Sequence, residues 1–397
     1  MDTPALENGK PVRKKVLPPF HPFIGKEEIK EVSDSLKSGW ITTGPKVEEF
    51  EKEFKNYVGC KNAIAVNSCT SALHLSLAVN DIGKGDEVIT SPFTFVSTVN
   101  VIEYQGAKPV LVDIDEDTYN INPDNIEDKI NENTKAIIPV HYGGQPSEMD
   151  EIEKIAEDHD LKVIEDAAHA IGAEYKDRKI GTIGDFTCFS FYATKNLTTS
   201  EGGMIATDDS ESVDKLKSLS LHGMSKDAWK RYSDSGSWYY DVVKLGFKYN
   251  MTDLQAAIGR HQLHKFEEMQ KRRQKIATKY DKSLKELDEI KTPHVKEYVK
   301  HAWHLYPIQV REDLLDISRN EFIEALRAEN IGTSVHFIPV HMHSYYKNKY
   351  GYKPEDFHNA KKVYEREISI PLYPKMEDKD IDDVIEGIKK IVEYYKR

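Results

Sequence analysis

The chain has 397 residues, of which 39% are hydrophobic and 31% are charged. This length is enough for roughly two or three domains, and the composition is typical of a globular protein, which excludes a disordered or fibrous chain. The 55 basic and 67 acidic residues give a net charge of −12, which argues against general binding of nucleic acid or of an anionic membrane.

Short apolar runs alternate with helical patterns between about residues 60 and 207. Most of the runs are unbroken, which is typical of strands buried on both faces of a parallel sheet. They predict strands at 62–66, 87–90, 108–113, 135–140, 162–165, 186–191 and 204–207. The intervening patterns predict helices at 71–79, 96–104, 123–132, 149–159 and 211–220. This alternation predicts an α/β fold with a mainly parallel central sheet and helices on both faces.

The pattern changes near residue 252, where Thr252-Asp253 is a typical helix start. A helical pattern continues to about Leu287, and the remaining segments predict strands at 304–310 and 332–337 and helices at 318–330, 357–366 and 378–395. We therefore predict a large domain over residues 1–250, a connecting helix over 251–290 and a smaller C-terminal α+β domain over 291–397. Residues 1–45 form a segment that can pack on the small domain.

The cellular compartment is suggested by what the sequence lacks. The three cysteines, Cys60, Cys69 and Cys188, show no CxxC spacing, which argues against a disulfide framework and a cysteine zinc site. The first twenty residues contain no apolar core of a secretory signal, and no apolar run approaches the length of about 18 residues that spans a membrane. We expect a cytoplasmic protein that neither enters nor binds a membrane.

The strand predicted at 62–66 leads into a helix through the small polar residues 67–71. The free N–H groups and the positive end of such a helix favour a phosphate, whereas N-capping by Ser68 or Thr70 explains the same residues without a ligand. Neither GxGxxG nor GxxxxGK[ST] occurs, so the dinucleotide-binding and P-loop interpretations lose their main support.

The strand predicted at 162–165 is followed by Asp166, and His169 lies three residues beyond. A carboxylate at this strand end can bind a metal, orient a histidine, or pair with a cationic heterocycle. A helix cap after the strand explains the same residues without a ligand.

Lys195 lies in a loop of small residues between two predicted buried strands, just before Gly202-Gly203. Most lysines are solvated charges, but a desolvated lysine has a depressed pKa and can form a Schiff base. A phosphate at a helix start, an acid for a ring nitrogen and a lysine for an aldehyde are together the requirements of pyridoxal 5′-phosphate (PLP).

These residues resemble those of the DegT/StrS sugar-nucleotide aminotransferases, which are PLP-dependent enzymes of fold type I. The resemblance extends over nearly the whole chain, through segments 38–45, 67–74, 165–169, 190–203, 248–253 and 369–374. Within the family the chain is most similar, at 221–223, 227–229 and 301–305, to enzymes like UDP-4-amino-4-deoxy-L-arabinose aminotransferase, which aminate C4 of a UDP-linked 4-keto sugar. The resemblance implies a nucleotide-linked keto sugar and L-glutamate, converted to 2-oxoglutarate, as substrates, and a homodimer with shared active sites.

The resemblance also assigns roles around the cofactor ring. Lys195 corresponds to the Schiff-base lysine, which also moves the proton between the amine carbon and the cofactor. Asp166 corresponds to the acid on the pyridine nitrogen, and His169 to a residue, often Gln, that packs against the cofactor. Phe95 corresponds to a stacking ring, which is Trp in the arabinose enzymes.

The cofactor phosphate has its own set of corresponding residues. Thr70 and Ser71 match the phosphate-binding helix start, and Ser190 matches a hydroxyl on the same phosphate. Asn250 matches a residue that reaches this phosphate from the neighbouring subunit.

Four residues are candidates for contact with the substrate. His336 and His341 lie in a loop that lines the sugar pocket in the family; a metal site is disfavoured there because no Cys or carboxylate completes it. Arg231 belongs to a small basic cluster that either grips the substrate diphosphate or forms a solvated helix face. Thr42 lies either in a substrate loop or in a turn before the next helix.

Two other functions are compatible with the same fold. PLP-dependent sugar dehydratases replace the Schiff-base lysine with His, so Lys195 argues against that reaction. A non-catalytic regulatory relative is disfavoured because Lys195, Asp166 and Ser190 are all present.

Overall fold

The computed structural model describes residues 3–225 and 239–397. Its α-helices are α1 Lys26–Ser38, α2 Pro45–Val58, α3 Cys69–Val79, α4 Ser97–Tyr104, α5 Met149–Asp158, α6 Ser212–Ser220, α7 Asp253–His264, α8 Phe266–Leu284, α9 Arg319–Ala328, α10 Ser344–Tyr350, α11 His358–Arg366 and α12 Asp378–Tyr395. Its strands are β1 Asn62–Val66, β2 Glu87–Thr90, β3 Lys108–Leu111, β4 Thr134–Ile138, β5 Lys162–Asp166, β6 Glu174–Tyr175, β7 Arg178–Lys179, β8 Phe186–Ser190, β9 Gly203–Thr207, β10 Ile290–Lys291, β11 Val299–Lys300, β12 Tyr306–Val310 and β13 Glu367–Ile370.

A seven-stranded sheet, in the order β1-β9-β8-β5-β4-β2-β3, forms the centre of the molecule. Strands β8, β5, β4, β2 and β3 are parallel to their neighbours within this group. Strand β9 is antiparallel to both β1 and β8. The sheet is thus mainly parallel, which confirms the predicted fold class.

Each face of this sheet carries its own hydrophobic core, because successive side chains of a strand point to opposite faces. On β1, Ala63 and Ala65 belong to the core beneath α2, α5 and α7. The alternate residues Ile64 and Val66 belong to the core beneath α3, α4 and α6. Helices therefore cover both faces, as predicted.

A smaller α+β unit follows in the chain. Its antiparallel sheet has the order β10-β12-β13 and shares a core with α8, α9 and α12. The small C-terminal domain is confirmed, while its boundaries remain a prediction.

The N-terminal segment contacts this C-terminal unit. The backbone N–H groups of Ala5 and Val12 each donate to the Glu329 carboxylate over 2.8 Å. Leu17 forms a parallel bridge with Ile331. The N-terminal segment is thus joined to the C-terminal unit by hydrogen bonds between residues more than 300 positions apart in sequence.

Two predicted helices differ from the structure. Residues 123–132 form only two short 3-10 turns, at Pro123–Asn125 and Glu127–Lys129, because this segment begins with the weak helix formers Pro, Asp and Asn. The predicted connecting helix is two helices, which meet at Lys265 with non-helical backbone angles. This break places the buried Phe266 against Tyr57 in the large core.

One predicted C-terminal strand is also absent. Residues 332–337 form a single bridge, Ser334 with Ser369, and the paired strand is instead β13. Half of β13 is polar, so its sequence lacks the apolar signal of a buried strand. In the ranges that the structure describes, no helix is long and apolar enough to cross a membrane.

Candidate active site

A cavity of about 570 Å³ opens at the carboxyl ends of β5 and β8, beside the N-terminus of α3. Ligands of parallel α/β sheets bind at this edge. Asp166, the last residue of β5, and Ser190, the last residue of β8, both line it. The loop between β8 and β9 forms a further wall. We refer to this space as the central cavity.

Lys195 lies on the loop wall of the central cavity. The loop is held by buried hydrogen bonds, including that from the Asn196 side chain to the carbonyl of Ala302 at 2.7 Å. Burial lowers the pKa of Lys195 to about 8, although Cys69 and Asp166 oppose the shift. The structure shows no hydrogen bond or ion pair of its Nζ with any residue it describes. This amine is therefore available for covalent chemistry.

The Asp166 carboxyl is buried against the base of the cavity. It accepts hydrogen bonds from the Thr98 hydroxyl at 2.7 Å and from the Ala168 N–H at 3.1 Å. Burial raises the pKa of Asp166 in spite of these donors. A cation placed against this carboxyl would restore its ionised form, because an opposite charge lowers a carboxyl pKa.

The N-terminus of α3 forms another wall. Ser68 is the N-cap, whose side chain accepts a hydrogen bond from the Ser71 N–H at 3.1 Å. Ser68, Thr70 and Ser190 line the cavity together. The first N–H groups of a helix lack partners within the helix, so this wall combines hydroxyl and amide donors in a way that suits an anion.

Aromatic side chains line another part of the cavity, among them His169, His304 and Phe337. His169 lies within 4.3 Å of the His304 ring, measured between centroids, and stacks on Phe337 at 5.9 Å. Its Nδ1 accepts the Gly143 N–H at 3.1 Å, so the proton of the neutral ring is on Nε2. Burial lowers the pKa of His169 and His304 well below the usual value, so both are neutral at physiological pH. Phe95 lines the same space.

The structure brings together seven of the residues predicted from the sequence. Those that line the central cavity are Thr70, Phe95, Asp166, His169, Ser190, Lys195 and His336.

Three other predicted residues do not line the cavity. Ser71 turns its hydroxyl to the Asn67 side chain at 2.6 Å. The Thr42 carbonyl accepts a hydrogen bond from the Asp253 N–H at 2.8 Å. His341 is fully buried elsewhere, where Nε2 lies 3.2 Å from the Pro354 carbonyl, because the chain after Pro339 makes a short 3-10 turn away from the cavity.

Asn250 is also absent from the cavity wall and donates to the Thr43 hydroxyl at 2.6 Å. Arg231 lies outside the residues that the structure describes.

Sequence reasoning missed several cavity residues. Phe20 comes from the N-terminal segment, and no local pattern distinguishes it. His304 lies in segment 301–305, where similarity to the family was the available signal. Thr98 does not line the cavity itself, and its importance became visible only through its hydrogen bond to Asp166. No cluster of His, Cys, Asp or Glu that could hold a metal ion occurs among the residues described.

These residues fit PLP. The cavity holds a lysine amine and a buried carboxyl, neither of which forms an ion pair with a residue that the structure describes, and hydroxyl donors at a helix N-terminus. They match the aldehyde, the ring nitrogen and the phosphate of that cofactor.

The chain is similar to known proteins over most of its length. The model of the DegT/DnrJ/EryC1/StrS aminotransferase family matches residues 22–389. The spore coat polysaccharide biosynthesis protein SpsC of Bacillus subtilis is 57% identical over 381 residues, which cover 96% of this chain and 98% of SpsC.

The chain is also similar to solved structures of aminotransferases. Spr1654 of Streptococcus pneumoniae in its PMP form is 36% identical and covers 96% of this chain and 98% of its own, with a TM-score of 0.89; a PLP form is also known. PseC of Helicobacter pylori, an aminotransferase of pseudoaminic acid biosynthesis, is 31% identical over 96% of this chain and 100% of its own, with a TM-score of 0.89.

Proposed function

Because the chain belongs to the DegT/DnrJ/EryC1/StrS aminotransferase family, we propose that it moves the amino group of L-glutamate to a nucleotide-linked keto sugar. The chain is a PLP-dependent sugar aminotransferase. The proposal adds the nucleotide linkage, the C4 position of a UDP-linked 4-keto sugar, and glutamate as the donor. The similarity to SpsC supports a product destined for a surface polysaccharide.

One observation carries the proposal: Lys195 and Asp166 face the same cavity, at the N-terminus of α3. Bound PLP supplies an electron sink for amino transfer. In our proposal Asp166 holds the ring nitrogen protonated, and Ser68, Thr70 and Ser190 bind the phosphate.

Lys195 has two tasks in this proposal. Its Nζ would hold the cofactor covalently through the aldehyde. As a free amine, Lys195 would move the proton at the reacting carbon of the amino substrate. A pKa near 8 suits both tasks, because a much larger fraction of the amine is then neutral at physiological pH than for a lysine with the ordinary pKa.

We further propose a homodimer, in which Asn250 completes the phosphate site of the other subunit. Its position outside the central cavity of its own chain is compatible with that role. The three cysteines are free and buried, which fits the proposed cytoplasmic location.

The experiment is to incubate the PLP-loaded enzyme with L-glutamate and a panel of 4-keto and 3-keto nucleotide sugars. We expect an aminated UDP-linked sugar, substituted at C4, together with 2-oxoglutarate, identified by mass spectrometry and NMR. Lys195→Ala should abolish product formation, and Lys135→Ala, at an exposed lysine of β4, should not. Formation of a dehydrated sugar, or no conversion of any sugar in the panel, would contradict the proposal.

A further inference from the structure

A buried carboxyl lies behind the central cavity, on strand β13. Glu367 is fully buried, and the structure shows no ion pair of its carboxylate with any residue in the described ranges. The neighbouring Arg319 donates to the backbone carbonyl of Glu367 at 2.9 Å and not to its carboxylate. A buried carboxylate without an ion pair is costly, so the neutral acid is favoured here.

Both oxygens of this carboxyl have hydrogen-bond partners that lead to one histidine. The backbone N–H of His336 donates to Oε2 at 2.9 Å. The Ser369 hydroxyl bonds to Oε1 and lies 2.9 Å from Nδ1 of His336. The Tyr142 hydroxyl donates to the carbonyl of His336 at 2.5 Å. His336 is thus fixed through its backbone and its ring.

The other ring nitrogen of His336 is the end of this chain of hydrogen bonds. His336 lines the central cavity together with Lys195, and the structure shows no hydrogen bond of its Nε2 with any residue it describes. Nε2 is therefore the atom that a bound substrate can meet.

The protonation state of Glu367 determines whether Nε2 of His336 donates or accepts a hydrogen bond. Since Oε2 already accepts an N–H, a proton on the neutral acid must be on Oε1, where it is donated to Ser369. The Ser369 hydroxyl then donates to Nδ1, and the proton of the neutral imidazole is on Nε2. With an ionised Glu367 the two hydrogen bonds of the Ser369 hydroxyl reverse: Ser369 donates to Oε1, Nδ1–H donates to Ser369, and Nε2 carries a lone pair.

We propose that Glu367 and Ser369 are positioning residues, which relay protons to His336 and make its Nε2 a hydrogen-bond donor to the keto oxygen of the sugar at neutral pH. This inference rests on the proposed function, because a keto oxygen can only accept hydrogen bonds. When the relay reverses, the Nε2 proton leaves to the cavity, the Ser369 proton moves to Nδ1, and the Oε1 proton moves to the Ser369 oxygen, so one proton is released in total. The imidazole is neutral in both states.

The charges around the relay agree with this assignment. Burial raises the pKa of Glu367 to about 8, against the lowering effect of Ser369, the His336 N–H and Arg319. Burial, assisted by Lys195, lowers the pKa of His336 to about 4. The other titratable groups that face Glu367 are Tyr119 and Tyr142, which burial keeps neutral. The donor form of Nε2 should therefore persist up to about pH 8.

The first test measures the tautomer of the His336 imidazole directly by NMR. In PLP-loaded enzyme labelled with ¹⁵N-histidine, the His336 signals are identified by their loss in His336→Gln. We expect the Nε2–H tautomer at pH 7 and the Nδ1–H tautomer at pH 9.5. Glu367→Gln should keep the Nε2–H tautomer at both values, because its amide donates to Ser369 permanently. The control Glu289→Gln, at a buried carboxylate that pairs with Lys396, should behave like wild type.

The second test uses Ser369→Ala, which cuts the relay but keeps Glu367 and His336. We expect kcat/KM for the keto sugar to fall roughly tenfold, as for one lost hydrogen bond, with the glutamate half-reaction unchanged. A His336 tautomer that is the same at pH 7 and 9.5 in wild type, or an equal loss in both half-reactions, would overturn the relay.

The two tests distinguish an error in the relay from an error in the proposed function. If some sugar is aminated but the His336 tautomer does not depend on Glu367, only the relay is wrong. If the tautomer depends on Glu367 but no keto sugar is converted, the proposed function is wrong, and the donor role toward a keto oxygen is wrong with it.

Discussion

Lys195 and Asp166 face one cavity, and burial shifts their pKa values in opposite directions. The pKa of the amine is lowered to about 8 and that of the carboxyl is raised. Both shifts favour the neutral form, because the effect of burial outweighs the attraction between the two groups. A ligand that brings a cation to Asp166 and an aldehyde to Lys195 satisfies both groups together.

The pKa of Lys195 predicts the pH dependence of cofactor attachment. Only the neutral amine attacks an aldehyde, so the rate should rise with pH up to about 8 and then level off. The measurement is the rate at which apoenzyme gains PLP absorbance between pH 6.5 and 9.5. A rate that keeps rising tenfold per pH unit above pH 9 would indicate a lysine with an ordinary pKa.

Asp166→Asn preserves the size of the side chain but removes its charge. We expect kcat to fall by about 100- to 1,000-fold, the range observed when a positioned electrostatic group is removed. Asp177→Asn, at an exposed turn, is the matched control and should leave kcat unchanged. Stopped-flow measurement of the glutamate half-reaction tests this. A variant with the wild-type rate would show that another group protonates the ring nitrogen.

At the scale of elements, the site depends on how closely β9 approaches α3. A Cβ on Gly203 would lie 2.6 Å from the carbonyl carbon and oxygen of Ser68. Only glycine therefore lets the strand pass beneath the helix N-terminus that lines the cavity. The small residue is required by contact with backbone, which cannot move as a flexible side chain does.

Gly203→Ala should accordingly displace the start of α3. We expect the free energy of unfolding to fall by about 1–3 kcal/mol, the usual cost of overpacking, and the affinity for PLP to decrease. Gly83→Ala is the control, since its Cβ would meet nothing closer than 3.5 Å. Urea unfolding of the apoenzyme and a PLP titration measure the two effects. Equal stability of both variants would contradict the steric argument.

The sequence predicts those parts of the site that lie at the ends of apolar strands. Asp166 and Lys195 follow or link such strands, so a local pattern reveals them. Glu367 and Ser369 interrupt the apolar pattern of β13, and their importance arises from contact with His336, 33 residues or fewer away in sequence. Phe20 reaches the cavity from the N-terminal segment. Such residues are brought together by tertiary packing, which periodicity does not encode.

At the scale of the whole molecule, the proposed dimer distributes each site over two chains. The cofactor phosphate is an anion in a protein with a net charge of −12, so a further donor from a neighbouring subunit is physically useful. A two-fold contact is isologous, so each subunit would complete the site of the other.

Complementation tests this arrangement. Subunits with Lys195→Ala are mixed with subunits with Asn250→Ala and allowed to exchange. In a mixed dimer one site then carries both substitutions and the other carries neither, so activity should return to about half of the wild-type value per mixed dimer. If both variants are inactive alone and stay inactive after verified exchange, both residues of a site come from the same chain.

The contact between residues 5–17 and the Glu329–Ile331 region has a consequence for synthesis on the ribosome. Ala5 is bonded to a carboxylate 324 residues further along the chain. At about 5–20 residues per second, the N-terminal segment waits roughly 20 to 60 s for its partner. During that interval the large sheet can form, but this segment cannot dock. A stretch that is translated more than 300 residues before its partner is thus among the last to reach its native position.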